Sequence, residues 1–387
     1  MALYNGVAAD APIRPITCVE MHTAGEPTRI FWSGFPDLTG TLLEQRDQAK
    51  ANSDQFRRLL LLEPRGHYDM YGAILRPETE LVGTGKADIG VLFMHNEGFS
   101  TMCGHATIAL GRFLVDSNEV IFPRRRQLKD NAESGTTVLN LHVPSGLVKV
   151  TVPTLSTGKS DPSRPVSFIS VPSFATAVSL KVPVSKAYQW PELQGRSSVT
   201  ADFSYGGAYY CLISAEELGF PGGLAAFDLQ KMDNATGLLK KAITTNPDLR
   251  YLAKNVVTGE QGFLYSIMIT DKRLGHQGVN TEETGLCFFA NQQIDRSPTG
   301  GCVAARVALA YAKGELSIGE KRMYNSLVTR SRKALAGFVG SVFDSAQQSV
   351  NVKVEGYAYY TGHHTFVVEN EDGLGVDGFS MKDSVFR

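Results

Sequence analysis

Short apolar runs, some alternating with polar residues, predict strands at Thr17–Met21, Gly90–Met94, Leu147–Val152, Val166–Val171, Tyr209–Ile213, Phe263–Thr270 and Thr365–Glu369. Longer stretches with apolar residues three and four apart predict helices at Ala51–Leu62, Gly104–Val115, Met232–Ile243 and Gly300–Ala312. Strands interleaved with a few helices place the chain in the mixed α/β (α+β) class. Residues 155–165 are rich in Ser, Gly and Pro and read as a loop. Arg124–Arg126 with the polar residues after it reads as a solvated excursion, too short to form a basic groove.

The pattern repeats. Val91-Leu92-Phe93-Met94 and Cys287-Phe288-Phe289-Ala290 are 196 residues apart, and Cys103 and Thr299, each twelve positions further on, keep the same spacing. Asp69–Ile74 resembles Gly262–Ile267, and the strand–Gly turn–strand of Val19–Ile30 resembles Ala201–Leu212. Three matches in one order predict two similar halves, about 14–190 and 195–375. The length of 387 residues agrees, because single cores stop growing well below it.

In both halves an apolar strand runs through a polar turn into a helix. The first turn ends in Thr101-Met102-Cys103-Gly104-His105, the second in Asp295-Arg296-Ser297-Pro298-Thr299-Gly300-Gly301. A helix start carries unpaired N–H groups and the positive end of the macrodipole, so it binds anions. Glycine after the key residue lets a ligand approach the backbone. A cysteine there is expected to have a lowered pKa and to supply a thiolate. Two such starts facing each other would hold a carboxylate on the N–H groups of Gly104, His105, Gly300 and Gly301. Proton abstraction beside that carboxylate suits such a site, because negative charge develops there. Each feature also has a plain structural reading: Cys103 as a buried small residue, His105 as a capping or packing residue, Ser-Pro-Thr-Gly as an ordinary N-cap.

Composition narrows the field. The chain is 43% hydrophobic and 20% charged with a net charge of −1, which gives no footprint for nucleic acid or an anionic membrane. No apolar run reaches the ~18 residues of a spanning helix, and Met1–Arg14 lacks the layout of a secretory signal. Five scattered cysteines, Cys18, Cys103, Cys211, Cys287 and Cys302, argue against a disulfide framework and for a cytoplasmic setting. Cys18, Cys211 and Cys287 sit in apolar runs and read as inert core. The eight histidines include no HExxH, there is no CxxC, and neither a Walker nor a G-x-S-x-G motif occurs, so no metal or cofactor is expected.

Met102–Ala109 and Asp295–Gly301 resemble the two signature motifs of the proline racemase family, which includes hydroxyproline epimerases and trans-3-hydroxy-L-proline dehydratases. Glu20–Pro27 and Pro64–Gly72 support the resemblance, which spans most of residues 14–375. It implies a diaminopimelate epimerase-like fold of two pseudo-symmetric halves, each a curved sheet around a central helix, with the site in the cleft between them. It also implies that Asp295 binds the ring nitrogen of a proline-like small-molecule substrate, and that the protein could be a homodimer. Family racemases resemble one another in having cysteine at both signature positions. This chain has Cys103 and Thr299, the pairing of the dehydratases. A threonine hydroxyl is too weak an acid to return a proton on the second face at neutral pH. The expected reaction is therefore removal of the α-proton by Cys103 and loss of the 3-hydroxyl as water, giving Δ1-pyrroline-2-carboxylate. Two alternatives stand beside it: a racemase or epimerase using Cys302, one helical turn beyond Thr299, as a displaced second thiol; or a catalytically idle amino-acid-binding protein.

Overall fold

The structure is a computed structural model and describes residues 16–128, 130–274, 282–331, 336–369 and 371–382. His276 and residues 1–14, on which the secretory-signal reading rested, lie outside the described residues. The chain forms two compact units. One takes residues 1–166 together with 357–387, the other residues 167–356. The division thus falls near 166, where the sequence pattern placed it near 190, and the C-terminal segment belongs with the first unit.

The first unit contains β1 (Ile16–Thr23), β2 (Glu26–Phe31), β3 (Gly72–Arg76), β4 (Ile89–Met94), β5 (Phe99–Ser100), β6 (Asp130–Asn131), β7 (Thr136–Val143) and β8 (Gly146–Pro153). The second contains β9 (Val166–Ile169), β10 (Phe174–Pro183), β11 (Ser198–Tyr205), β12 (Tyr209–Ser214), β13 (Leu264–Asp271), β14 (Glu282–Phe289), β15 (Gln293–Asp295), β16 (Lys321–Ser326), β17 (Phe338–Ser345) and β18 (Val350–Gly356); β19 (Ala358–Phe366) returns to the first.

Strand order in the first unit is β19-β1-β2-β3-β4-β7-β8, antiparallel throughout except for the parallel pairs β2/β3 and β4/β7. In the second unit β10-β11-β12-β13-β14-β16-β17 repeats that order and those senses, with parallel pairs at β12/β13 and β14/β16. β18 and then β9 extend the far edge. Val91 lies in β4 and Cys287 in β14, so the repeat seen in sequence is a repeat of topology.

Each sheet curls around one helix. Gly104–Asp116 packs on β19, β1 and β2 from one end of its sheet and on β8 from the other. Gly300–Ala312 does the same with β10, β11 and β12 at one end and β17 and β18 at the other. A helix enclosed by a sheet is apolar on nearly all sides, and a charge buried within it needs a partner, as Arg306 has in Glu283. Accordingly, in Gly104–Asp116 only Arg112 and Asp116 escape burial, and in Gly300–Ala312 only Tyr311 and Ala312.

Three expectations are corrected. The helix expected at Ala51–Leu62 is two helices, Leu42–Asn52 and Asp54–Leu61, which meet at Ser53. The first buries only Leu42, Gln45 and Ala49, so it has no apolar stripe to detect; a capping box between Thr41 and Glu44 fixes its start. The strand expected at Thr365–Glu369 is the end of β19, which starts earlier among exposed Tyr and His residues. It stops at Phe366, and the carbonyl of Val367 accepts from Arg65 Nη2 at 2.9 Å instead of joining the ladder. Arg124–Arg126 is more than a solvated excursion. Arg124 donates to the carbonyl of Val82, and Arg125 to those of Val115 and Gly158, which ties the loop down; only Arg126 is mostly exposed.

Candidate active site

The first helix start is built on Cys103, which is extended (φ −145°) and caps the helix with its own sulfur: the Ala106 N–H points at Sγ from 3.4 Å. Cys103 is buried, with 7% of its surface exposed. The ring of His105 lies against it, Nδ1 at 3.2 Å and Nε2 at 3.6 Å from Sγ. A sulfur that accepts a backbone N–H at the positive end of a helix is favoured as thiolate. His105 is neutral. Burial pushes its pKa down to about 3, against a hydrogen bond to the Pro27 backbone that acts the other way.

The β1–β2 hairpin supports this helix start. Its two turn residues, Ala24 (φ 54°) and Gly25 (φ 91°), both have positive φ, as a tight right-twisted hairpin requires. Thr23 beside the turn donates from Oγ1 to the carbonyl of His105 at 2.9 Å. Tyr71 closes the other side, with its ring edge-on to His105 at a centroid separation of 4.8 Å. Neither Thr23 nor Tyr71 stood out in the sequence as a site residue, although both lie in or beside the stretches that carry the family resemblance.

The second helix start is built differently. Asp295 Oδ1 accepts the Ser297 N–H at 2.7 Å and Ser297 Oγ accepts the Thr299 N–H at 3.0 Å, which winds the loop into the helix. Thr299 then sits at φ 63°, ψ 87°, and makes no side-chain cap. For a β-branched residue this backbone is a true outlier, a strain of roughly 1–3 kcal/mol that clusters at functional sites. Capping is therefore not what Thr299 does. Its hydroxyl is buried and meets no hydrogen-bond partner among the described residues.

Asp295 is almost fully buried (3% exposed) and burial raises its pKa to about 6, opposed by hydrogen bonding from Ser297. Gly300 and Gly301 are buried and begin the helix. The turn between β11 and β12 presses against them. A Cβ on Gly206 would lie 2.1 Å from the Gly301 carbonyl oxygen and 2.6 Å from the Ala305 nitrogen, both main-chain atoms that cannot give way. Gly206→Ala is therefore expected to cost on the order of 1–3 kcal/mol and to displace this helix start. Thermal melting followed by circular dichroism measures it, and an unchanged midpoint would show that the contact relaxes freely.

Cys302, the proposed displaced thiol, has no exposed surface, and burial holds its pKa well above the ordinary thiol value. Cys18 and Cys287 are likewise pushed up to about 12 by burial, and Cys211 is raised too; all three are core residues. None of the five cysteines is in a disulfide among the described residues. Among the described residues, no group of three or more His, Cys, Asp and Glu is arranged to hold a metal ion, and no helix is long and apolar enough to cross a membrane.

The description of the proline racemase family matches residues 18–380. The chain belongs to the proline racemase family. Among its family relatives, the trans-L-3-hydroxyproline dehydratase of Xenopus tropicalis is 39% identical over 96% of this chain and 97% of its own length. The human trans-3-hydroxy-L-proline dehydratase is 38% identical over 95% of each chain, and that of Colwellia psychrerythraea 34% identical over 93% of this chain and 91% of its own. Two crystal structures share the fold at 20% identity. One is a probable proline racemase from Agrobacterium radiobacter with bound carbonate (TM-score 0.74, 95% of this chain and 97% of that one). The other is a hydroxyproline epimerase from Agrobacterium vitis with bound trans-4-hydroxy-L-proline (TM-score 0.72, 96% and 97%). A PhzF-family protein of Bacillus anthracis is more distant, at TM-score 0.52, 11% identity, 92% of this chain and all of that one. The fold is thus the diaminopimelate epimerase-like fold.

Proposed function

We propose that this protein is a trans-3-hydroxy-L-proline dehydratase, a hydro-lyase whose base is Cys103. The observation that carries the reading is the unequal pair of helix starts: a capped, buried sulfur at the first and a strained threonine at the second. The names borne by the relatives support the same substrate. In the substrate the 3-hydroxyl and the α-hydrogen lie on one ring face, both opposite the carboxylate. Elimination then needs proton traffic on a single side, and one sulfur suffices.

In the proposed reaction Asp295 holds the ring ammonium as a charge-assisted pair. The N–H groups of Gly104, His105, Gly300 and Gly301 take the carboxylate, where charge accumulates. The thiolate of Cys103 removes the α-proton, the C3–O bond breaks, and the hydroxyl leaves with a proton as water. The enamine then tautomerises to Δ1-pyrroline-2-carboxylate. The newly formed Cys103 thiol, on the same ring face as the leaving group, is the acid for the departing hydroxyl. Thr299 acts by offering the substrate a buried hydroxyl that has no hydrogen-bond partner among the described residues. A homodimer in the cytoplasm completes the reading; five free thiols suit a reducing compartment.

The direct test is incubation with trans-3-hydroxy-L-proline, 2-aminobenzaldehyde detection of the pyrroline, and chiral chromatography of the residual substrate. Absence of the imine from active, folded protein would defeat the reading. Tight proline binding by calorimetry without turnover would point to an amino-acid-binding protein instead. The racemase alternative has lost its thiol, since Cys302 is interior. Thr299→Cys is expected to restore a second proton donor and produce measurable deuterium wash-in with inversion at the α-carbon of proline. No wash-in at all would mean that the strained backbone at 299, and not thiol chemistry alone, separates the two reactions.

A further inference from the structure

Tyr71 is almost completely buried (1% exposed), yet it carries a hydroxyl, and three observations explain where that side chain is aimed. Its hydroxyl and Ser100 Oγ are 2.6 Å apart, a short bond that anchors the ring to β5. Its ring edge meets the ring of His105 at 4.8 Å and 72°, the T-shaped arrangement that aromatic quadrupoles favour. Its carbonyl accepts the Arg29 N–H at 2.9 Å, which ties the residue to β2 at the point where β3 begins. Tyr71 is therefore fixed at both its main chain and its hydroxyl, with His105 resting on the ring.

His105 needs that support. It is the second residue of its helix, and its backbone carbonyl is held by Thr23, but its ring could in principle turn about two side-chain torsions. The position observed puts a ring nitrogen 3.2 Å from Cys103 Sγ. An imidazole that rotated away would withdraw that ring nitrogen from the sulfur.

We infer that Tyr71 is a positioning residue for proton transfer at Cys103: tethered by Ser100, its ring locks the neutral imidazole of His105 against the sulfur. The inference rests on the reading of Cys103 as the base, and it acts entirely within the first unit.

The test is a double-mutant cycle with two readouts in the full-length protein. The first is the pH profile of Cys103 carboxamidomethylation by iodoacetamide, followed by mass spectrometry, which needs no assumption about substrate. The second is kcat and KM for trans-3-hydroxy-L-proline. Tyr71→Leu is expected to move the alkylation midpoint by at least half a pH unit, in the same direction as His105→Ala. It should lower kcat about tenfold or more while KM stays within about threefold, because only a preorganised proton transfer is disturbed. In the His105→Ala background, Tyr71→Leu is expected to change either readout by less than twofold, since the residue it acts through is gone. Tyr71→Phe, which keeps the ring edge and loses the tether, should fall between wild type and Tyr71→Leu, and Ser100→Ala should match it. These two milder variants keep the test decisive where Tyr71→Leu does not fold.

Equal effects of Tyr71→Leu with and without His105, or wild-type profiles in Tyr71→Phe and Ser100→Ala, would overturn the inference. Failure of the underlying reading looks different: Cys103→Ser would remain active, whatever the alkylation cycle shows.

Discussion

Cys103→Ser is expected to lower pyrroline formation from trans-3-hydroxy-L-proline by at least about 10³-fold, the upper part of the range that a positioned general base contributes. The substitution is nearly isosteric, and serine is itself a preferred N-cap residue, so the hydrogen bond from the Ala106 N–H has a partner in the variant. The fold should therefore keep its stability while the chemistry is lost. What disappears is the acidity: an alcohol beside the neutral ring of His105 has no route to an anion, because burial keeps that imidazole from taking its proton. Melting curves superimposable on wild type, together with an absent imine signal, are the expected pair of results. Retention of more than a few per cent of the wild-type rate would remove Cys103 as the base.

Asp295→Asn is expected to lower kcat/KM by about 10²-fold or more, since in the proposed reaction it removes a charge-assisted, buried partner of the substrate's ammonium, worth roughly 1.5–3 kcal/mol before the cost of leaving that cation uncompensated. Its pH dependence is equally diagnostic. With the carboxyl raised to about 6 in the free protein, kcat/KM of the wild type should fall below pH about 6 as the carboxylate is protonated. The limb in kcat should lie lower, because the bound ammonium stabilises the ionised form. Stability runs in the opposite sense. An acid whose pKa is raised by folding costs nothing at a pH below its unfolded value near 3.9, where both states are protonated. The cost grows as pH rises from there towards 6, and is fully present above it, on the order of 3 kcal/mol. Asparagine carries no such cost. Wild type should thus lose melting temperature relative to Asp295→Asn between pH 5 and pH 8, while the variant loses activity. A kcat/KM profile without an acid limb near 6, or a variant that binds substrate normally, would take Asp295 out of the site.

Much of this protein is written locally. The dense apolar spacing of Gly104–Asp116 and Gly300–Ala312 marks two largely enclosed helices, and the recurrence of strand, polar turn and helix at a spacing of 196 residues marks the duplication. The motif residues Cys103, His105, Asp295 and Thr299 also stand in the sequence, because a helix start needs only neighbouring residues to form.

Other features depend on partners far along the chain. β19 has an exposed, polar face and is a strand because β1 pairs with it, so its bounds were hidden from any apolar pattern. Helix Leu42–Asn52 has no apolar stripe and is fixed by its cap. The neutrality of His105 and the raised carboxyl of Asp295 come from burial, which no stretch of sequence records. Tyr71 meets His105 only because β3 begins where the helix starts. The strained backbone of Thr299 is likewise a product of its surroundings: Asp295 and Ser297 wind the loop, and the glycine turn of β11–β12 packs against the helix that follows. Local residue types therefore determined which groups are available for chemistry, whereas tertiary packing decided their charge states and orientations, because desolvation and ring contacts arise only when distant segments meet.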